Sequence, residues 1–157
     1  MAPNENEELV RSWFDELFNR KALKALERYC ADAFYDHTPP AGATEGGVRA
    51  LREGFERLFQ GLPDVQVKIE EVVSAGDRVF ARTTLTGTHS GELMGLHASG
   101  KRLRMEVWHL FRMEEGKIAE HRAQSDTLQL LRQFAASARQ MADVILIPPR
   151  DVPTPQA

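Results

Sequence analysis

One histidine and one aspartate near the C-terminal end of the chain have residue types and a spacing suited to proton transfer. Residues 103–133 read as a strand, a tight turn, a second strand, an acidic residue and a helix. On the first strand His109 alternates with apolar residues such as Val107, which predicts that its side chain faces the core. On the second strand the same alternation predicts that Asp126 shares the inward face of Ile118, beside His109. A histidine and a carboxylate facing an apolar cavity can exchange protons with a ligand.

Both residues also have a purely structural interpretation. Asp126 directly precedes a helical pattern, where its carboxylate can cap the helix by accepting a hydrogen bond from a free N–H group. A lone histidine on an apolar strand face is often a hydrogen-bonded packing residue. The capping role of Asp126 and a catalytic role do not exclude each other.

Further candidates lie outside this segment. Asp36 and His37 fall in an irregular stretch at 33–44, where they either contact a ligand or form a turn before two prolines. His89 lies in a turn-like sequence and could reach the rim of a cavity. The predicted substrate-contacting residues are Trp13, Phe14, Tyr35, Asp36, His37, Phe55, His89, Val107 and Arg122. The five histidines show no HxH or HxxxH spacing, so the sequence predicts no metal site.

Composition restricts the class of protein. A chain of 157 residues with 42% hydrophobic residues suits one globular domain. The formal net charge of -3 and the lack of a basic stripe argue against a nucleic-acid partner. No apolar run is long enough for a membrane span, and the polar N-terminus does not resemble a secretory signal. The single cysteine, Cys30, is predicted to be a buried thiol, which fits a cytoplasmic location.

The periodicity of apolar residues predicts helices first and strands afterwards. Helices are expected at 4–20, 21–29, 46–59 and from 126 to 134, and strands at 65–73, 78–88, 102–113 and 117–124. This order favours an α+β fold in which a curved antiparallel sheet wraps around the N-terminal helices and forms a cone with an internal cavity. We expect one domain over 1–143 and a proline-rich C-terminal extension over 144–157.

Several short motifs resemble, in order, those of the SnoaL-like polyketide cyclase family within the nuclear transport factor 2-like superfamily. They are FYDH at 34–37, AGDRV at 75–79, GTHSG at 87–91 and GKIAEH at 116–121, followed by Asp126. The resemblance covers roughly residues 5–135 and implies the cone fold, a homodimer formed through the sheet, and a hydrophobic small-molecule ligand. It implies ring closure by intramolecular aldol addition without a metal or cofactor. Asp126 then matches the proton-abstracting aspartate, His109 its supporting histidine, and Asp36 with His37 a pocket-lining pair.

The chain departs from the family pattern at two places near the expected cavity. Residues 97–100 read HASG, where the family often has proline and threonine before the glycine. Arg122 stands where a tryptophan is common, so the resemblance leaves the substrate open. Two other functions fit the same residues: a hydroxylase or isomerase that works without a cofactor, and a non-catalytic module for ligand binding or dimerisation.

Overall fold

The computed structural model describes residues 5–39 and 46–134 and has the predicted α+β architecture. Helix α1 (Glu5–Phe14) continues into a π-helical turn (Asp15–Asn19) and a 3-10 turn (Leu23–Ala25), followed by α2 (Leu26–Tyr29), α3 (Val48–Gly61) and α4 (Thr127–Phe134). The strands are β1 (Cys30–Asp36), β2 (Gln66–Ala75), β3 (Arg78–Thr88), β4 (Arg102–Glu114) and β5 (Lys117–Ser125). The expected helix start at residue 4 and the extension at 144–157 lie outside the described residues.

The sheet is curved, does not close into a barrel, and has the strand order β1-β5-β4-β3-β2. Strands β2 to β5 form the predicted antiparallel meander. Strand β1 was not predicted, and it pairs with β5 in parallel, so the sheet is mixed. The prediction of an irregular segment there was wrong because Asp36 is a buried polar residue on the inward face, which hides the alternation of apolar and polar residues.

A β-bulge in β5 changes which side chains face the core. Arg112 of β4 pairs with Glu120, whereas the next residue, Met113, pairs with Ile118, so Ala119 is an extra residue in β5. An extra residue reverses the alternation of faces beyond it. His121 is therefore buried, and the expected continuation of the Ile118 face to residue 126 does not hold.

The core lies between the helices and the inward face of the sheet. Trp13 and Phe14 of α1 are almost fully buried, and the ring of Trp13 packs edge-on against Phe111 of β4. Leu51 and Phe55 of α3 complete this apolar layer. Such aromatic contacts keep α1 and α3 at fixed positions above the sheet.

Two smaller predictions concern the cysteine and the membrane. Cys30 is buried as expected, and burial raises the pKa of its thiol to about 12. None of the helices in the described parts of the chain is long and apolar enough to cross a membrane.

Candidate active site

A row of four hydrogen-bonding side chains crosses the inward face of the sheet, one from each of four adjacent strands. They are Thr83 on β3, His109 on β4, His121 on β5 and Asp36 on β1. Thr83 Oγ1 lies 3.3 Å from His109 Nε2, His109 Nδ1 lies 3.0 Å from His121 Nε2, and His121 Nδ1 lies 3.1 Å from Asp36 Oδ2. We call the three residues Asp36, His121 and His109 the relay.

The hydrogen bonds around Asp36 fix the direction of the relay. Its other carboxylate oxygen, Oδ1, accepts bonds from the N–H and the hydroxyl of Thr38, at 2.9 and 3.2 Å. An ionised carboxylate can only accept, so His121 donates from Nδ1 to Asp36. When both rings are neutral, His121 Nε2 then accepts from His109 Nδ1–H, which leaves the lone pair of His109 on Nε2. His109 Nε2 is therefore the basic end of the relay.

The two ends of the relay differ in how burial and neighbours act on their pKa values. Burial alone would raise the pKa of Asp36, but the hydrogen bonds from His121 and Thr38 outweigh it and lower that pKa. Burial and the neighbouring His121 hold the pKa of His109 well below its ordinary value. At neutral pH, Asp36 is thus ionised and His109 is in the unprotonated form that can accept a proton.

The relay forms part of the wall of a cavity of about 850 Å³. A cavity of this size suits a multi-ring organic ligand. Most of the remaining wall is apolar and includes Trp13, Phe55 and Met94. The relay is thus exposed to whatever occupies the cavity, although Asp36, His109 and His121 each have at most 6% of their surface accessible.

Comparison with known proteins agrees with the sequence motifs. The profile of the SnoaL-like polyketide cyclase family matches residues 8–134. The chain belongs to this family. The predicted resemblance is therefore confirmed, and the family covers every element of the fold described above except the first turn of α1.

The aligned region covers only part of this chain and part of each curated relative. The chain is 43% identical over 114 residues to the aklanonic acid methyl ester cyclase DauD of Streptomyces sp. (strain C5), covering 69% of this chain and 66% of that one, just under two thirds. It is 36% identical over 100 residues to the nogalonic acid methyl ester cyclase of Streptomyces nogalater, covering 62% and 68%. The solved structure of TsrD from Streptomyces laurentii is 24% identical, covers 87% of this chain and 99% of that one, and superposes with a TM-score of 0.77, which shows a shared fold.

In this SnoaL-like chain, several of the predicted site residues do come together. His109, Asp36, Trp13 and Phe55 line the cavity. Phe14 packs edge-on against the ring of His109, with 4.9 Å between ring centroids, and so supports the relay from the side of α1. The carbonyl oxygen of buried Val107 lies 3.3 Å from Thr83 Oγ1, so the single hydroxyl proton of Thr83 is donated either to this oxygen or to the lone pair of His109 Nε2.

Asp126 lies apart from the relay. Its side chain is exposed, and its Oδ1 accepts a 2.8 Å bond from the N–H of Gln129, which confirms the capping role at the start of α4. The cavity wall does not include Asp126, and His109 has Thr83 and His121 as its hydrogen-bonding partners instead. The bulge at Ala119 accounts for this. Beyond the bulge the inward face of β5 carries His121 and no longer the residues that alternate with Ile118.

Tyr35, His37 and Arg122 lie together outside the cavity. Tyr35 and Arg122 are exposed, and the ring of Tyr35 packs against His37. His37 Nε2 donates to Glu120 Oε2 at 2.7 Å, and the hydrogen bonds from His37 and Arg112 lower the pKa of Glu120 to about 2. Glu120 thus joins His37 and Arg112 outside the cavity.

His89 is fully buried but also lies outside the cavity wall. Its Nδ1 accepts a 3.2 Å bond from the N–H of Ser99, and its ring packs against Phe134 of α4 at 4.4 Å. Burial lowers the pKa of His89. These contacts join the loop after β3 to the C-terminal helix.

His121, the central member of the relay, was not among the predicted site residues. A signal for it was present, because Glu120, Arg122 and Gln124 form a polar series that marks the outer face of β5. That series places His121 on the inward face, together with Ala119 and Ala123. Within the described residues, no group of three or more His, Cys, Asp or Glu side chains is arranged to hold a metal ion.

Proposed function

We propose that the chain closes a ring on an aromatic polyketide methyl ester by intramolecular aldol addition, with the relay as its acid and base. The observation that carries the proposal is the row of Asp36, His121 and His109 in the wall of a large apolar cavity. The ester cyclase relatives support the substrate class, because they are named for aklanonic and nogalonic acid methyl esters.

The first step is removal of a proton from a methylene carbon that lies between two carbonyl groups. Such a C–H bond is acidic enough for an imidazole base, and no metal or redox cofactor is needed for this step. His109 accepts the proton at Nε2, and its Nδ1 proton can pass to His121 Nε2. The positive charge then rests on His121, beside the carboxylate of Asp36, which stabilises it.

The second step forms the carbon–carbon bond. The enolate carbon attacks a ketone of the same molecule, and the ketone oxygen becomes an alkoxide. The relay returns its proton to that oxygen, so the reaction is an isomerisation and the relay ends in its starting state. The apolar walls keep both reacting ends of the ligand close together and raise their effective concentration.

The proposal is tested by incubating the purified protein with aklanonic acid methyl ester. We expect a ring-closed isomer that chromatography separates from the substrate, formed much faster than without protein. Nogalonic acid methyl ester serves as a second substrate, since the two relatives are named for different esters. Binding of either ester without any isomer formed would contradict the cyclase proposal and favour a non-catalytic binding module. A hydroxylated product would favour the hydroxylase alternative.

The same assay separates the relay from Asp126, whose catalytic role in the family resemblance remains open. Asp126→Asn removes the negative charge but keeps a good capping side chain. Because Asp126 is exposed and lies outside the cavity wall, we expect turnover and the free energy of unfolding to stay close to those of the wild type. A large loss of turnover with normal folding would instead mean that Asp126 is the base, as the family resemblance implies.

A homodimer formed through the outer face of the sheet is part of the proposal. Val73, Phe80 and Leu110 are cross-strand neighbours on that face, and Trp108 packs edge-on against Phe80. Trp108 is 52% exposed and Val73 50% exposed. Charges of both signs flank these residues, including Arg82 with Glu71 and Glu106, which lets two copies face each other with opposite charges in contact.

Replacing Trp108 with glutamate should weaken this dimer. We expect sedimentation velocity to show a dimer for the wild type and a larger monomer fraction for Trp108→Glu, because a charge would be buried in the interface. Leu128→Glu is the matched control, since Leu128 is 43% exposed on α4. A wild type that stays monomeric at all concentrations would contradict the dimer.

We also propose a cytoplasmic location. The single cysteine, Cys30, is a buried free thiol, which fits a reducing compartment. Fractionation of cells that produce the protein would check the location.

A further inference from the structure

A tight turn with a strained residue borders the cavity. The N–H and C=O groups of Leu93 and Leu96 are hydrogen-bonded to each other in both directions at 3.0 Å, which closes a two-residue turn. The two central residues, Met94 and Gly95, have φ values of 55° and 76°. Glycine adopts positive φ without strain, whereas a methionine there is sterically unfavourable. Asn, Asp or Gly is the usual residue at the position of Met94 in such a turn.

The turn is held firmly against the end of α3. The N–H groups of Ser90 and Gly91 both donate to the carbonyl oxygen of Gly61, at 3.0 and 3.2 Å. The chain passes so close that a Cβ atom on Gly91 would lie 2.1 Å from the carbonyl oxygen of Gln60. A Cβ atom on Gly61 would lie 2.8 Å from Leu93 Cβ. The position of the turn relative to the cavity is therefore fixed by close backbone packing.

Met94 lies in the cavity wall and is half-buried, packed against the edge of the hydrophobic core. A second turn of the same kind shows what such a turn looks like away from the cavity. Glu115 and Gly116, between β4 and β5, have φ values of 49° and 73°, and Glu115 is exposed. There the strained position carries a charged, solvated side chain, whereas beside the cavity it carries a long apolar one.

We propose that Met94 packs against the ring system of the bound aromatic polyketide and sets the affinity of the cavity for flat polycyclic ligands. The thioether of methionine is polarisable and makes favourable contacts with aromatic rings, and its unbranched chain adapts to their shape. Strained backbone conformations cluster at ligand-binding sites, and of these two turns only the one with Met94 borders a cavity. The inference rests on the proposed function for the natural ligand, but the affinity itself can be measured with a simpler molecule.

The probe is anthraquinone-2-sulfonate, a flat three-ring aromatic, titrated against the fluorescence of Trp13 in the cavity wall. The chain has two tryptophans, so in a Trp108→Phe background Trp13 is the only tryptophan, and excitation at a wavelength that tyrosine does not absorb reports on it alone. We expect the probe to quench Trp13, and Met94→Gly to raise the Kd by about 3- to 10-fold, the range of a methionine–aromatic contact. Met94→Leu keeps an apolar side chain of similar volume but has no sulfur, so its Kd should lie between those of the parent and Met94→Gly.

Thermal unfolding of the same variants distinguishes a side chain that contacts the ligand from one that mainly stabilises the fold. Glycine relieves the strain at residue 94 but loses chain entropy on folding, so the Tm of Met94→Gly should stay within about 3 °C of the parent. Glu115→Gly is the matched control: it makes the same backbone change at the other turn and should leave the Kd unchanged.

Three results would overturn the inference: no quenching of Trp13 by the probe, an unchanged Kd for Met94→Gly, or a Tm lowered well beyond that range. Turnover of aklanonic acid methyl ester is measured separately. Normal probe binding without turnover would reject the proposed cyclase and leave the role of Met94 intact.

Discussion

Replacing His109 with glutamine should lower kcat for ring closure by about 10²- to 10⁴-fold, the usual contribution of a general acid or base. Glutamine is polar and of similar length, so it can remain hydrogen-bonded to His121, but its amide cannot accept a proton at neutral pH. Because the apolar walls of the cavity are unchanged, KM should change by only a few-fold. Steady-state kinetics with aklanonic acid methyl ester give both values.

Two further variants make this result specific to the relay. His121→Gln breaks the link between His109 and Asp36 and should lower kcat as well, and the double variant should be little worse than either single one, because the residues act as a unit. His89→Gln is the matched control, since His89 is equally buried but lies outside the cavity wall. If His109→Gln folds normally and keeps full turnover, the relay is a structural network and not the acid and base.

Periodicity was sufficient to predict the meander and the inward position of His109. Strands β2 to β4 largely alternate apolar and polar residues, and the connections from β2 through to β5 carry glycine. These signals are local, because side-chain alternation and turn chemistry depend on neighbouring residues. The cap at Asp126 is local for the same reason, and it was predicted as one of the two roles of that residue.

Counting alternate residues of β5 from Ile118 does not identify His121 as the partner of His109. A single extra residue, Ala119, exchanges the two faces of β5, and alanine carries none of the glycine signal that often marks a bulge. Counting from the polar residues Glu120 and Arg122 instead gives the correct face for His121. The lesson is that an apolar pair such as Ile118 and Ala119 inside an alternating strand should prompt a separate count on each side.

The position of Asp36 depends on contacts between residues far apart in the sequence. Asp36 pairs with His121, which lies 85 residues further along the chain. Its own neighbours include a histidine and two prolines, so local patterns indicated a turn. Only the parallel pairing of β1 with β5 shows that Asp36 is inside the fold, and such non-local pairings leave no periodic signal in a single sequence.

Replacing Asp36 with alanine should produce the largest loss of stability. The carboxylate accepts hydrogen bonds from the N–H and hydroxyl of half-buried Thr38 and from buried His121, and all of these donors would lose their partner. Leaving a buried donor without its partner costs about 1–3 kcal/mol, so we expect a total loss of several kcal/mol. Denaturant unfolding followed by circular dichroism measures this loss. Asp32→Ala, an exposed position on the same strand, should change the free energy of unfolding by less than about 0.5 kcal/mol.

The pH dependence of this loss checks its cause. The pKa of Asp36 is lowered in the folded state, so its stabilising effect is complete above the unfolded value of about 3.9 and is lost as the pH falls through the folded value. The gap between wild type and Asp36→Ala should therefore be widest near neutral pH and narrow in acid. In both proteins, His109 also makes the free energy of unfolding depend on pH. Its pKa is also lowered, so stability is complete above about 6.5 and declines below that value as the unfolded chain takes up a proton. A gap that stays constant down to the acid transition would mean that the ionised carboxylate does not stabilise the relay.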